Sequence, residues 1–390
     1  MRMMQTALLT GPYDWDSTLL PVAEYEARLA AVRHVLAQRG ATALLVHGYS
    51  AEYGALAYLT GFVPKLGPAL ALVANDGSVR IFCSGGPGMQ SSAKLLTWVG
   101  DVRPLGDFKN AIRDSFGNVA DVGPTVLGMW GARTMAHRLH LSVAAATQCF
   151  ANVIELDEPL DSLRCHKSRR ERELLRRVSA ILAAASETLA RAAADGFGAR
   201  SAALAAERTA FALEAQDVRI LASARNAGPT LPFDGPADVN IDPLLACVAV
   251  RFAGYWAEGF VTIAISAPSG ALGRARAALS AMLHAARAGT TFRELRTIAA
   301  GQLRPYAIHP LVQRTIVSSI GLSLEETSGA GDENMCLQQG GVYTLRAGAI
   351  GEGEDNALVS AMIAVDGDEI EILWSATNPS SDDRRGGNSR

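Results

Sequence analysis

Two oppositely charged residues, Arg251 and Glu258, lie in an otherwise apolar stretch of the sequence, residues 246–266, ACVAVRFAGYWAEGFVTIAIS. Apolar and β-branched residues on both sides of Ala253-Gly254 predict a hairpin with a two-residue turn. In that register the two charges are diagonal neighbours on one face and can form an ion pair. A guanidinium binds carboxylate or phosphate through forked hydrogen bonds, and a buried glutamate can act as a general acid or base. The hairpin is therefore a candidate binding or catalytic site.

Aromatic residues accompany these charges in the predicted hairpin. Trp256 is expected opposite Arg251, and Glu258 opposite Ala249, with Tyr255 directly after the turn. Tyr255 and Trp256 could form an aromatic wall that contacts a substrate. Core packing explains aromatic residues in a hairpin equally well.

Three further polar residues are candidates for substrate contacts. Ser318 and Ser319 could act as nucleophiles or as hydrogen-bond donors, but no histidine lies in a motif positioned to activate them, so small polar filler is the alternative. His309 precedes a proline in the segment AIHPLVQRT, which favours a position at a loop edge over a catalytic role. We keep all three as candidate substrate-binding residues.

Composition narrows the function classes. The chain has 390 residues, 49% of them hydrophobic, and carries a net charge of −3 with a sequence pI of about 6.2. We find no dense Lys/Arg run with interleaved aromatic residues, so neither nucleic acid nor an anionic membrane is expected as a partner. Five scattered cysteines without a C-x-x-C pair suit a reducing compartment. The N-terminal apolar stretch is too short to span a bilayer, and we predict a cytoplasmic protein.

The elements that must position the candidates fall into two groups. An amphipathic helix over 22–40, a buried strand over 41–49 and a hairpin over 68–85 predict an α/β domain spanning 1–162. From residue 163 a charge-rich junction leads into a long Ala/Leu helix, a second helix, the 246–266 hairpin, two more helices and closing strands. This alternation predicts an α+β domain over 163–376 whose second half echoes its first half. The polar, aperiodic residues 377–390 are expected to form a disordered tail.

Several segments, taken in order, resemble the creatinase, prolidase and aminopeptidase P family (M24), whose catalytic domain has the pita-bread fold. The segments that carry the resemblance are YLTGF, KSRRERELLRRVSAI, NAGPTLPFDGPADV, GYWAEG, SSIGLSLEE and GGVYTLRAG. The resemblance implies a pita-bread C-terminal domain preceded by a smaller creatinase-type α/β domain. It also implies a homodimer.

The resemblance breaks down at the metal ligands. Most members of the family bind two divalent metals through two Asp, one His and two Glu. Those positions fall here on Arg251, Glu258, Ser318, Arg346 and near Val359. An arginine keeps its proton at accessible pH, and serine and valine are poor or impossible ligands. We therefore expect no dinuclear metal site and predict no cofactor.

The family's metal-free precedent does not carry over intact either. Creatinase splits a C–N bond of a small guanidino acid with a histidine as acid/base, and Phe233 takes the place of that histidine here. A second family histidine, in the segment that matches SSIGLSLEE, falls on Glu325. Phe233 becomes a candidate substrate contact, and Glu325 a candidate acid/base.

The substituted pocket supports two hypotheses from different classes. Arg251, Arg346 and Glu258 sum to a charge of +1, which suits a small anionic, amino-acid-like substrate with Glu258 or Glu325 as acid/base. The first hypothesis is a metal-independent, creatinase-like enzyme that hydrolyses a C–N bond, although a lyase, isomerase or cyclase in specialised metabolism would need only the same acid/base pair. The second is a non-catalytic pita-bread binding protein, a pseudo-peptidase, in which the ion pair fills the space of a lost metal site.

Overall fold

The computed structural model describes residues 15–74, 76–85, 87–116, 125–223, 242–265, 269–326, 333–353 and 355–377. Two predictions, the substrate contact at Phe233 and the tail beyond Thr377, lie outside the described residues. Contacts divide the chain into two compact units, residues 1–164 and 165–390. Among the described helices, none is both long enough and apolar enough to cross a bilayer.

The first unit is built around one mixed sheet. Its strands within the described residues are β1 Ala43–Gly48, β2 Ala69–Val73, β3 Val79–Cys83, β4 Asp101–Pro104, β5 Val126–Trp130 and β6 Asn152–Glu155. The sheet order is β4-β3-β2-β1-β5-β6, in which β2 pairs antiparallel with β1 and β3, and the other neighbours are parallel. The central strand β1, with the sequence ALLVHG, is buried along its whole length, as a continuous apolar run predicts.

Helices pack against this sheet. They are α1 Val22–Gln38, α2 Gly54–Thr60, α3 Pro87–Ala93, α4 Phe108–Phe116, α5 His137–Ala146 and α6 Asp157–Cys165. Short 3₁₀ turns occur at Lys94–Leu96, Leu105–Asp107 and Ala132–Thr134. Apolar residues of the sheet and of α4 and α5 form one core, in which Phe82 contacts Phe108 edge to face. The α/β character predicted for this part of the chain is confirmed.

The second unit begins with a helix pair. Ser168 and Glu171 form a capping box, in which the Ser168 side chain accepts from the Glu171 N–H and the Glu171 carboxylate accepts from the Ser168 N–H. This cap starts α7 Arg169–Ala194, which is followed by α8 Ala199–Ala212.

Two antiparallel sheets and three further helices complete the second unit within the described residues. The first sheet contains β7 Asp217–Ser223, β8 Leu244–Phe252 and β9 Tyr255–Ile263 in that order. The second contains β10 Ala307–Ile308, β12 Val342–Ile350, β13 Asn356–Asp366 and β14 Glu369–Ser375, with β11 Val317–Ser319 paired to β12. The helices are α9 Gly270–Ala285, α10 Phe292–Leu303 and α11 Pro310–Arg314.

The hairpin of β8 and β9 has the predicted register. Ala253 and Gly254 both take positive φ angles, 48° and 84°, which identifies a two-residue turn of the type that hairpins favour. Arg251 pairs with Trp256, and Ala249 pairs with Glu258. The hairpin therefore presents both charged residues on one face of its sheet.

Strand β12 separates an apolar face from a polar one. Tyr343, Leu345 and Ala347 alternate along one face and join the core that includes apolar residues of α9 and α10. Thr344 and Arg346 necessarily point to the opposite face, because side chains alternate along a strand. That polar face is where the candidate residues of the two sheets meet.

Candidate functional site

The candidate site is a cluster of buried polar side chains on one face of the second sheet. Thr344 and Arg346 come from β12, and the register places Ser318 opposite Thr344 and Ser360 opposite Arg346. All four residues are buried. Residues directly opposite each other in an antiparallel pair point to the same face, so the four side chains form one polar patch.

Glu258, from the hairpin, reaches this patch and forms an ion pair with it. Arg346 Nη2 donates to Glu258 Oε2 at 2.5 Å, and the side chains are 9% and 11% exposed. The other carboxylate oxygen, Oε1, accepts from the Cys247 thiol at 3.9 Å. Burial, and then the negative charge of Glu258, raises the pKa of the Cys247 thiol well above its ordinary value. Cys247 is therefore a protonated donor to Glu258 and not a nucleophile at neutral pH.

Several atoms of the patch have hydrogen-bonding capacity left over. Arg346 Nη1, Ser318 Oγ and Thr344 Oγ1 are buried and have no hydrogen-bond partner among the described residues. Ser360 differs, because its Oγ accepts from the Phe260 N–H at 2.8 Å. A buried polar group without a partner lowers stability, so such a group in a folded protein calls for an explanation. A ligand with acceptor atoms would satisfy the guanidinium and the two hydroxyls together.

His309 lies at the end of the same patch. It is buried directly before α11, and its Nδ1 accepts from the Leu311 N–H at 3.3 Å. Its Nε2 has no partner in the part of the chain that the structure describes. Burial lowers the pKa of His309, so the ring is neutral at pH 7.

Arg251 does not pair with Glu258, and the prediction of that diagonal ion pair is wrong. Arg251 Nη2 instead lies 3.8 Å from Asp217 Oδ2, and its guanidinium lies over the Trp256 ring at 5.3 Å. Asp217 is directly opposite Arg251 in the register of β7 and β8, whereas Glu258 is only a diagonal neighbour and is bound by Arg346 from the other sheet. Asp217 was not predicted as a partner of Arg251, because β7 was not predicted as a strand.

The structure separates the two adjacent glutamates after β11. Glu325 is exposed, so it does not join the buried patch. Glu326 is buried and forms an ion pair with Lys167, and its Oε1 accepts from the Leu322 N–H at 2.8 Å. The buried carboxylate of this segment is therefore Glu326 and has a structural partner.

The three remaining candidates differ in where they lie. Ser319 pairs with Tyr343 and so lies on the face opposite Ser318. Tyr255 donates its hydroxyl proton to Glu171 Oε1 of α7 at 3.0 Å. Trp256 shares the hairpin face of Arg251 and Glu258, and the Arg219 guanidinium stacks on its ring at 4.5 Å.

The position facing Arg346 is Ser360 rather than Val359. Val359 pairs with Ala347 and belongs to the apolar core on the other face. The alternation of β13 would have identified Ser360 once Arg346 was assigned to the patch. In the described part of the chain, no three His, Cys, Asp or Glu side chains come together as a group that could hold a metal ion.

Comparison with known proteins gives the second unit a family context. A model of metallopeptidase family M24 matches residues 173–369, which includes β7 to β13 and every described member of the patch. No curated protein sequence matches the chain.

Solved structures of peptidases share the fold over nearly the whole chain. A prolidase from Thermococcus sibiricus superposes with a TM-score of 0.74 at 16% identity, covering 91% of this chain and 98% of that one. A prolidase from Pyrococcus furiosus gives 0.69 at 16% identity, with 89% and 99% covered. A dipeptidase from Mycobacterium ulcerans gives 0.71 at 18% identity, with 92% and 96% covered. The predicted pita-bread fold, with an α/β unit before it, is confirmed.

Proposed function

The chain belongs to metallopeptidase family M24, and we propose that it is a metal-independent enzyme of hydrolase type that acts on a small, anionic, amino-acid-like molecule. One observation carries this proposal: the Arg346 guanidinium holds Glu258 through Nη2 while Nη1, beside two hydroxyls, has no partner among the described residues. A carboxylate is the ligand that such a set of donors binds best.

The donor set does not fit a dinuclear metal site. Where the resemblance places five ligating side chains, the patch offers one carboxylate, Glu258, with Arg346, Ser318 and Ser360 around it. The guanidinium lies 2.5 Å from Glu258 Oε2 and already supplies the positive charge that a cation would bring. Two divalent ions beside Arg346 and Arg251 would meet repulsion and too few oxygen ligands.

The charge count that favoured an anion changes once Asp217 is included. Arg251, Arg346 and Glu258 sum to +1, and Asp217, 3.8 Å from Arg251, brings the sum to zero. The preference for a carboxylate therefore rests on the hydrogen-bonding geometry of Arg346, Ser318 and Thr344 rather than on net charge.

Glu258 is the group that would move a proton. Among the described residues, the weak Cys247 thiol is the only donor to its Oε1, so this oxygen keeps lone pairs for a substrate or a water molecule. In C–N hydrolysis, Glu258 would accept a proton from water as the water oxygen bonds to the carbon. It would then donate that proton to the nitrogen as the C–N bond breaks. A lyase, isomerase or cyclase would use the same proton transfer without the water.

The second candidate function is a non-catalytic binding protein. The 2.5 Å ion pair with Arg346 favours it, because the guanidinium already occupies one of the two carboxylate oxygens of Glu258. Both functions share the carboxylate site, and only turnover separates them.

The test uses protein purified without added metal. We expect metal analysis to find no stoichiometric Mn, Co, Zn or Fe, and a thermal-shift screen of small carboxylates and guanidino acids to give a ligand. Arg346→Ala should abolish that shift, Arg251→Ala should weaken it, and Glu258→Gln should retain binding but lose turnover. Arg276→Ala, on the exposed side of α9, is the matched control.

Two outcomes would contradict the proposal. About two metal ions per chain, in line with the family's dinuclear site, would refute metal independence. Unchanged ligand binding in Arg346→Ala and Arg251→Ala would refute the site itself. The homodimer and the cytoplasmic location stay predictions from the resemblance and the composition, and light scattering of the purified chain tests the first of them.

A further inference from the structure

His309 lies over the polar face of β12, next to Arg346 along the strand. Its backbone N–H donates to the Gly348 carbonyl at 3.0 Å, and a Cβ placed on Gly348 would lie 2.7 Å from the His309 Cβ. Gly348 is two residues from Arg346 and so shares its face. A side chain at position 348 would therefore occupy the space that His309 takes.

The imidazole of His309 is oriented as a donor. Since Nδ1 accepts from the Leu311 N–H, the proton of the neutral ring is on Nε2. That N–H is buried, and no described residue accepts from it. His309 Nε2 and Arg346 Nη1 are thus two unsatisfied buried N–H groups among the described residues. His309 lies against Gly348, and the backbone positions 346 and 348 are about 7 Å apart on one face of β12.

We propose that His309 is a second binding residue for the carboxylate ligand of the proposed function, on which this inference rests. Its Nε2–H donates to a second acceptor of the molecule whose carboxylate is bound by Arg346 Nη1. The spacing of about 7 Å between positions 346 and 348 is on the scale of a short molecule with acceptors at both ends. The ligand class is therefore a short linear dicarboxylate or an N-acyl amino acid, and His309 selects for the second acceptor.

The probes are glutarate, a short linear dicarboxylate, and pentanoate, which has a methyl group in place of one of its carboxylates. Calorimetric titration of the full chain should show glutarate binding about tenfold more tightly than pentanoate, the effect of one buried hydrogen bond to a charged acceptor.

A pair of substitutions at His309 separates its donor from its structural role. Asn places an oxygen where His309 Nδ1 accepts from the Leu311 N–H, and it is a favoured residue before a helix, but it has no donor at the Nε2 position. Gln places an amide N–H near that position. His309→Asn should lower glutarate affinity about tenfold and leave pentanoate affinity unchanged, while His309→Gln should restore most of the loss. His284→Asn, at an exposed histidine of α9, should change neither affinity.

Two kinds of result would overturn the inference. If His309→Asn binds glutarate as the parent chain does, or loses both ligands equally, His309 does not contact the second acceptor, and the carboxylate site of the proposed function still stands. If the parent chain binds neither probe, or if Arg346→Ala binds both probes as the parent chain does, the carboxylate site is refuted and the inference fails with it.

Discussion

Two buried ion pairs in the second unit differ in how fully their atoms are satisfied. The side chains of Lys167 and Glu326 are each 1% exposed, and each residue also has a hydrogen bond to a backbone group. The Lys167 N–H donates to the Gly340 carbonyl at 2.9 Å, and Glu326 Oε1 accepts from the Leu322 N–H at 2.8 Å. This pair fixes the segment after β11 to the start of α7.

The pair of Glu258 and Arg346 is also buried, with side chains 11% and 9% exposed, but it is surrounded by unused polar atoms. Arg346 Nη1, Ser318 Oγ and Thr344 Oγ1 lack a partner in the described residues. Burial alone therefore does not tell a structural ion pair from a functional one. The hydrogen-bonding capacity that remains after the pair has formed distinguishes the two kinds, because natural cores leave few polar groups unsatisfied unless something else uses them.

The largest expected effect comes from breaking the structural pair. Lys167→Met leaves the Glu326 carboxylate buried without its cation and should lower the free energy of unfolding by about 3–5 kcal/mol. Urea denaturation measures the loss. The double variant Lys167→Met/Glu326→Gln should recover part of the lost stability. The control is Arg169→Met, at an 87% exposed arginine in a surface ion pair, and it should change stability by less than about 1 kcal/mol. A loss for Lys167→Met as small as that for Arg169→Met would contradict the structural role.

A second variant pair replaces both Glu258 and Arg346, the ion pair that we propose to be functional. Glu258→Gln/Arg346→Met removes two buried charges together, and it should leave stability unchanged or raise it by about 1–2 kcal/mol, because such pairs seldom repay their desolvation. The same variant should lose all carboxylate binding by calorimetry. A stability loss as large as that of Lys167→Met would make the two pairs equivalent and would break the comparison.

Part of this site was predictable from local sequence. Alternation around Ala253-Gly254 determines the register of the hairpin, so the placement of Arg251 opposite Trp256 follows from the pattern. The start of α7 follows equally well, because Ser168 and Glu171 have the spacing of a capping box. Arg346 entered the site only through the family resemblance.

The partners of the charged residues were not predictable in the same way. Asp217 binds Arg251 from β7, and Arg346 binds Glu258 from another sheet, and both contacts join distant parts of the chain. Glu325 and Glu326 are adjacent in a segment without regular structure, so no periodicity indicates which one is buried. Long-range pairing decides these contacts, and a single sequence gives no direct measure of it.

A smaller effect separates two serines of the patch. Ser318→Ala removes a buried hydroxyl that has no described partner, so stability should change by less than about 0.5 kcal/mol while ligand affinity falls. Ser360→Ala removes the acceptor of the Phe260 N–H and should cost about 1–3 kcal/mol. Urea denaturation of the two single variants makes the comparison directly. An equal loss in both would show that the Ser318 hydroxyl has a structural partner.

The smallest predicted effect is a pH dependence of stability that arises from His309. Its pKa is lowered by burial, so the unfolded chain, in which histidine titrates near its ordinary value of about 6.5, binds this proton more readily than the folded chain does. The free energy of unfolding should therefore fall as the pH drops below about 6.5 toward the lowered folded pKa, and should level off above the ordinary value. Urea denaturation at pH 8, 7, 6 and 5 measures this slope, and His309→Asn should make it shallower. The Nε2–H of His309, like the Arg346 Nη1, has no partner among the described residues. A bound dicarboxylate should therefore also flatten the slope, because it stabilises the positively charged form of the folded ring. A slope that neither the substitution nor the ligand changes would assign the pH dependence to another group.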